Sequence, residues 1–361
     1  MAERLAIING LRSPMGKYGG ALAGFEADQL GAIVARELLA RANLSKDLID
    51  DVIIGNVAQP IHAANVARVI AMRAGIDKKV PAMTVHRNCA SGLEALALAY
   101  YKMLSGDSNV TLVGGVEAMS KIPFFFNQPA KKWFEDLAKA RDIKQKLSHL
   151  TRLKLSFFKP EIGLKIGLND PICDLLMGDT AENLADDFTI SRQAQDEFAL
   201  ASHQKAAKAS KEGYFRKAIM TIITNPERAQ LLDQDEGIRE AQTLAALAKL
   251  KPYFRRKIGT VTPGNASQIT DGAIFLIVML ESKAKALGLK PEGYLSNFTV
   301  TGVEPSRMGI GPVHAIYQLL KRSQSKLEDY HLFEINEAFA AQNLACLEAQ
   351  LLDQDEGIRE A

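Results

Sequence analysis

Short apolar runs alternate along the first third of the chain with stretches in which apolar side chains recur every three or four residues. Leu5 to Ile8 is such a run, and Gly10 and Pro14 follow it, which predicts a short buried strand. Leu30, Ile33, Val34, Leu38 and Leu39 fall at helical spacing. Val52 to Ile54 predicts a strand ended by Gly55-Asn56, and Val66 to Ala74 a helix ended by Gly75. Val80 to Val85 reads as a strand and Leu93, Leu96, Tyr100 and Leu104 as the following helix. Val110 to Val113 predicts a further strand, stopped by Gly114-Gly115. Strand and helix in turn imply an α/β layered domain.

The rhythm breaks between Lys121 and Met177. That segment holds Phe124, Phe125, Phe126 and the only tryptophan, Trp133. Between Lys131 and Lys165 it carries ten Lys/Arg against four Asp/Glu. Trp133, Leu137, Ala140, Ile143, Leu147 and Leu150 lie on one helical stripe, so an inserted basic amphipathic helix is expected. Such a helix either packs on the body or meets a membrane surface or partner subunit. The α/β pattern resumes at Gly178. Ser191 suits the N-cap of a helix through Phe198 and Ala201, and Ala273 to Met279 a buried strand. A last unit reads as strand Tyr294 to Val300, helix Val313 to Leu320, strand Leu332 to Ile335 and helix Ala338 to Leu347. Thirteen residues, AQLLDQDEGIREA, occur identically at Ala229 to Ala241 and Ala349 to Ala361. Two identical copies without a fixed period read as a sequence-level accident or an artificial join rather than a structural repeat.

Composition narrows the class. A chain of 361 residues predicts two domains sharing one body. The net charge of +2 argues against a generally basic nucleic-acid binder. Cys89, Cys173 and Cys346 show no CxxC spacing, so no metal site or disulfide framework is expected. No secretory or transit leader and no membrane-spanning run is evident, and the expected location is cytoplasmic.

Three segments carry chemistry. In Asn88-Cys89-Ala90-Ser91-Gly92 a thiol falls where a strand hands over to a helix. The positive end of the helix dipole favours thiolate there. A small buried hydrophobe is the competing reading of Cys89. Gly264 to Ala273 is a small-residue loop whose backbone and hydroxyl can meet a polar ligand arm. Asn336, in Glu334 to Ala341, stands at the mouth of a helix. It suits either a donor to a developing oxyanion or an N-cap.

NCASGLEAL, GNASQITDGA and NEAFAAQ, in that order, resemble the thiolase family, as do LVGGVEAMS at Leu112 to Ser120 and MGDTAENLA at Met177 to Ala185. The resemblance runs from Leu5 to about Leu347. It implies a layered α-β-α-β-α fold of two similar halves, each with a five-stranded sheet, and a homodimer. It implies no permanent cofactor, with CoA and acyl-CoA as substrates. Cys89 then takes the acyl group of a 3-ketoacyl-CoA as a thioester. Asn336 orients a water in one oxyanion hole, the Cys89 N–H contributes to another, and the loop at Ala266 and Ser267 meets the pantetheine arm. The insertion is similar to the loop of the thiolase subunit in fatty-acid β-oxidation complexes. That likeness implies a hydratase/dehydrogenase partner and peripheral membrane contact.

The implied domains are 1–120 with 178–285, an inserted 121–177, a partial C-terminal domain 286–348, and a duplicated tail 349–361. The family's later GHP histidine and CxGGG cysteine are not found: no histidine and no Gly-Gly pair follows Asn336. Cys346 lacks the glycine tail and is not assigned the second-cysteine role. The expectation is therefore an incomplete second half and impaired turnover. The alternatives are a non-catalytic CoA- or partner-binding scaffold, a biosynthetic acetoacetyl-CoA-type thiolase, or a ketoacyl synthase of the same fold, against which the GNAS and NEAF segments speak.

Overall fold

The computed structural model describes residues 3–42, 44–225 and 227–353. Their contacts divide into two units, 1–121 with 178–361, and 122–177.

The larger unit is built on a seven-stranded mixed sheet. Its first strands are β1 (Leu5–Arg12), the two-residue β2 (Gly16–Lys17), β3 (Asp51–Gly55), β4 (Ala82–Val85) and β5 (Val110–Ala118). β3 lies between β4 and β5, parallel to both. The strand Thr270–Leu280 runs antiparallel between β5 and β1, and Gly293–Leu295 adds to the other edge of β1.

Both faces of the sheet are covered, as continuous apolar strands require. Val52 and Ile54 face one core, with Leu112, Phe275 and Ile277. There they meet α1 (Ala27–Arg41) and α2 (Val66–Ala74) through Leu30, Val34, Leu38 and Ile70. Ile53, Val113 and Val278 point the other way, onto Leu96, Tyr100 and Met103 of α3 (Ser91–Leu104). The change of face at each step is the two-residue strand period. A third cluster joins Ala181, Leu184 and Ala185 to Val261, Ala341 and Ala345.

The predicted helix Val66 to Ala74 is observed, ended by Gly75 at φ 80°. Ser191 caps its helix, Arg192–Lys211, by accepting from the Ala194 N–H. Several strands differ from expectation. β1 continues through Gly10 to Arg12, and β5 through Gly114-Gly115 to Ala118. Gly114 does not stop its strand. A Cβ there would strike the Ile274 carbonyl and the Phe275 ring on the neighbouring strand, so glycine is what lets the two pack. Of the expected strand from Tyr294 to Val300 only Tyr294 and Leu295 form, within the strand Gly293–Leu295. Leu332 to Ile335 is irregular, because a strand exists only where its backbone finds a ladder. The last helix begins at Ala340, not Ala338.

The smaller unit pairs Phe124–Phe126 with Pro160–Ile162 as antiparallel strands. The expected single helical stripe is broken in two, Gln128–Lys139 and Ile143–Leu150. Ala140 turns to extended backbone, and Asp142 accepts from the Gln145 N–H to start the second helix. Ala130, Trp133 and Phe157 form its own small core, and the Trp133 indole donates to the His149 carbonyl at 2.8 Å. Among the described residues no helix is long and apolar enough to cross a membrane.

Candidate active site

Cys89 is exposed. It sits on the turn between the end of β4 and the start of α3. Asn88, just before it, takes φ 45°, a left-handed value that asparagine tolerates better than most residues. Ser91 locks the turn. Its hydroxyl accepts from the Arg87 N–H at 2.8 Å and donates to the Asn88 carbonyl at 2.6 Å. Arg87 reaches over the turn to Glu94 with a paired bridge of 2.6 and 2.9 Å.

The floor beneath this turn is main chain. A Cβ on Gly55, the last residue of β3, would fall inside the Ser91 carbonyl and the Gly92 nitrogen. A Cβ on Gly115 would meet the Gly92 Cα at 3.5 Å. Beyond Gly55 the chain is held by Glu117, at the end of β5. Its carboxylate accepts from the Val57 N–H, from the Ala58 N–H at 3.2 Å and from the Asn56 amide at 3.2 Å. Burial nevertheless pushes the Glu117 carboxyl above its ordinary range, against the pull of these donors and of His86.

A second group of candidates is brought together by direct bonds. The Ser267 N–H donates to the Ala338 carbonyl at 2.9 Å, and the Ala340 N–H to the Asn265 carbonyl at 2.9 Å. Ala266 and Phe339 form an antiparallel bridge between them. Ala266, Ser267 and the segment carrying Asn336 are thus one structural piece. Ser267 and Asn336 are both exposed. Asn336 does not ride on a strand, as expected, nor does it cap the helix. Its carbonyl accepts from the Ala338 N–H at 3.0 Å and from the Asn343 side chain at 3.2 Å.

Buried polar groups set this piece in place. Asn265 donates to Asp196 at 3.0 Å and to the Thr260 carbonyl at 3.1 Å, and accepts from the Thr262 N–H at 2.8 Å. Glu182, buried in the MGDTAENLA segment, accepts from Thr260 and Val261 N–H at 2.9 to 3.0 Å. A recess of about 170 Å³ opens beside the loop, lined by Ser202, His203, Asn265, Ser267, Gln268 and Glu337 among others. Burial and the Arg239 charge hold the His203 imidazole below its ordinary value, with Glu337 opposing.

Cys346 is buried. Burial pushes its thiol up, and it donates to the Gly309 carbonyl at 3.3 Å, a packing role. Glu117, Glu182, Asp196 and Glu337 were not singled out from the sequence. Each lies in or near a segment that was; for Glu117 and Glu182 an acidic residue among apolar and small neighbours was the available signal, and for Asp196, in a polar stretch, there was none.

This sheet, with a cysteine at a strand-to-helix turn and a small-residue loop laced to an Asn-Glu-Ala-Phe segment, defines an α/β protein suited to acyl transfer through a thiol. The family model described as "Thiolase, N-terminal domain" matches residues 5–282, and "Thiolase, C-terminal domain" matches 289–357. A "Probable acetyl-CoA acyltransferase" of Staphylococcus epidermidis is 41% identical over 355 residues, covering 98% of this chain and 85% of that protein. One from Staphylococcus aureus is 39% identical, covering 95% and 82%. A Bacillus anthracis acetyl-CoA acetyltransferase structure matches with a TM-score of 0.86 at 38% identity, covering 98% and 85%. Human mitochondrial 3-ketoacyl-CoA thiolase in complex with CoA matches with 0.84 at 34% identity, covering 96% and 82%. The chain belongs to the thiolase family, and by family it is an acyltransferase enzyme. The C-terminal match runs to residue 357, so it lends no support to the early end expected from the sequence.

Proposed function

We propose that this chain cleaves 3-ketoacyl-CoA with CoA through a thioester on Cys89, in fatty-acid β-oxidation. The observation that carries this reading is the exposed thiol on a locked turn ahead of α3. Cys89 sulfur attacks the C3 carbonyl of the substrate, and its proton passes to solvent. The C2–C3 bond then breaks, and its electron pair leaves as the enolate of acetyl-CoA, which takes a proton at C2. CoA thiol afterwards attacks the thioester and releases acyl-CoA. The α3 amino end opposes the negative charge at the sulfur. Asn336 orients a water toward the enolate oxygen, while Ala266 and Ser267 line the approach of the pantetheine arm. No permanent cofactor takes part. The location is the cytoplasm and the working unit a homodimer.

The test is incubation of the purified protein with an acyl-CoA, followed by mass spectrometry. An acyl mass on Cys89, absent in Cys89→Ser, and thiolysis of 3-ketoacyl-CoA in a steady-state assay are expected. No adduct on Cys89 removes the mechanism and leaves the scaffold reading.

The unit 122–177 supports a second role, peripheral contact with an anionic membrane beside a hydratase/dehydrogenase subunit. Phe124 is 63% exposed, Ile143 74% and Leu155 91%, in a segment where basic residues outnumber acidic ones.

A further inference from the structure

Asn336 lies in a segment with neither helix nor strand from Leu332 to Glu337, so something other than a ladder must fix it. Downstream, Ala338 and Ala340 are bonded to the 265–267 loop. The next side chain after Asn336 supplies another tie, since Glu337 accepts a hydrogen bond from the Ser202 hydroxyl. Ser202 stands within the Arg192–Lys211 helix. The same helix also grips the loop, for Asp196 accepts from the Asn265 amide at 3.0 Å. One rigid helix therefore holds both arms, the loop through Asp196 and the Asn336 segment through Ser202.

We propose that Glu337 is a positioning residue for the carbon–carbon cleavage step. Its bond to Ser202 fixes the peptide that carries Asn336 relative to the 265–267 loop. The proposal rests on the reading of Asn336 given above. A misplacement of about 1 Å can cost roughly 10²-fold in rate, so a single tether one residue away is enough to matter.

Two substrates separate this role from a merely structural one, because both leave the same acetyl group on Cys89. With acetyl-CoA the C–S bond to CoA breaks, and the leaving CoA thiolate takes up a proton. With acetoacetyl-CoA the C2–C3 bond breaks, and the acetyl-CoA enolate takes a proton from water. Only the second reaction develops the enolate that Asn336 serves. Initial rates of Cys89 acetylation are measured by mass spectrometry with each substrate, on the full chain and on Glu337→Ala, Ser202→Ala, Glu337→Gln and Asn336→Ala.

Glu337→Ala and Ser202→Ala are expected to slow the acetoacetyl-CoA reaction by about 10- to 100-fold, and the acetyl-CoA reaction far less. Glu337→Gln keeps an acceptor oxygen and recovers most of the rate. Equal slowing with both substrates overturns the proposal, as does an acetoacetyl-CoA rate lowered by Asn336→Ala but untouched by Glu337→Ala and Ser202→Ala. If Asn336→Ala changes neither rate, or the unsubstituted chain forms no adduct from acetoacetyl-CoA, the reading beneath the proposal is what fails.

Discussion

A single hydrogen atom decides how closely the Cys89 turn approaches the sheet. Gly55 has no side chain, and the Ser91–Gly92 peptide occupies the place a methyl would take. Gly55→Ala is expected to push the start of α3 away and cost about 1–3 kcal/mol in an equilibrium denaturation experiment. Iodoacetamide labelling of Cys89 should change rate in parallel, because the thiol rides on the same turn. Cys89, Ser267 and Asn336 were singled out by the motifs that carry the family resemblance, because the residues alone left a buried hydrophobe, an ordinary loop and an N-cap as competing readings. Glu337 and Ser202 were not. Their partnership spans 135 positions, and nothing local in either segment announces it.

Among the elements, the ends of β3 and β5 are clamped by Glu117, which gathers the donors of residues 56 to 58. Burial raises its pKa above the ordinary value of 4.5. The folded chain then binds that proton more tightly than the unfolded chain does. This contribution to stability is full below the ordinary value and is lost as pH rises through the raised one. Denaturant midpoints measured from pH 4 upward should reveal that decline, and Glu117→Gln should lack it. The elements themselves were read well where a strand or helix is bounded by its own chemistry, as at Ser191 and Gly75. They were misread where a neighbour decides. The pentapeptide AQLLD makes the point. In its first copy Gln230–Leu232 is a strand paired with Ile222–Asn225, and in its second, residues 349–353 lie in the helix Ala340–Asp353. Local preference is identical in the two, so the partner sets the outcome. Leu332 to Ile335 has strand-like composition and no ladder.

For the molecule as a whole, the layered α/β fold was legible from the alternating rhythm, and the contacts set 122–177 apart near the point where that rhythm breaks. Excising Pro129 to Ile166 should weaken co-sedimentation with anionic liposomes while leaving Cys89 acylation by acetyl-CoA in place. Unchanged sedimentation would remove the membrane role. The glycines beneath the Cys89 turn bear on how such a molecule can diversify. Gly55 and Gly115 lie against the Ser91–Gly92 main chain, and at Gly55 no side chain fits between the sheet and the turn. Substitutions that reshape the surrounding loops can therefore accumulate without relocating the sulfur, so what the neighbourhood admits can drift while the address of the thiol stays constant.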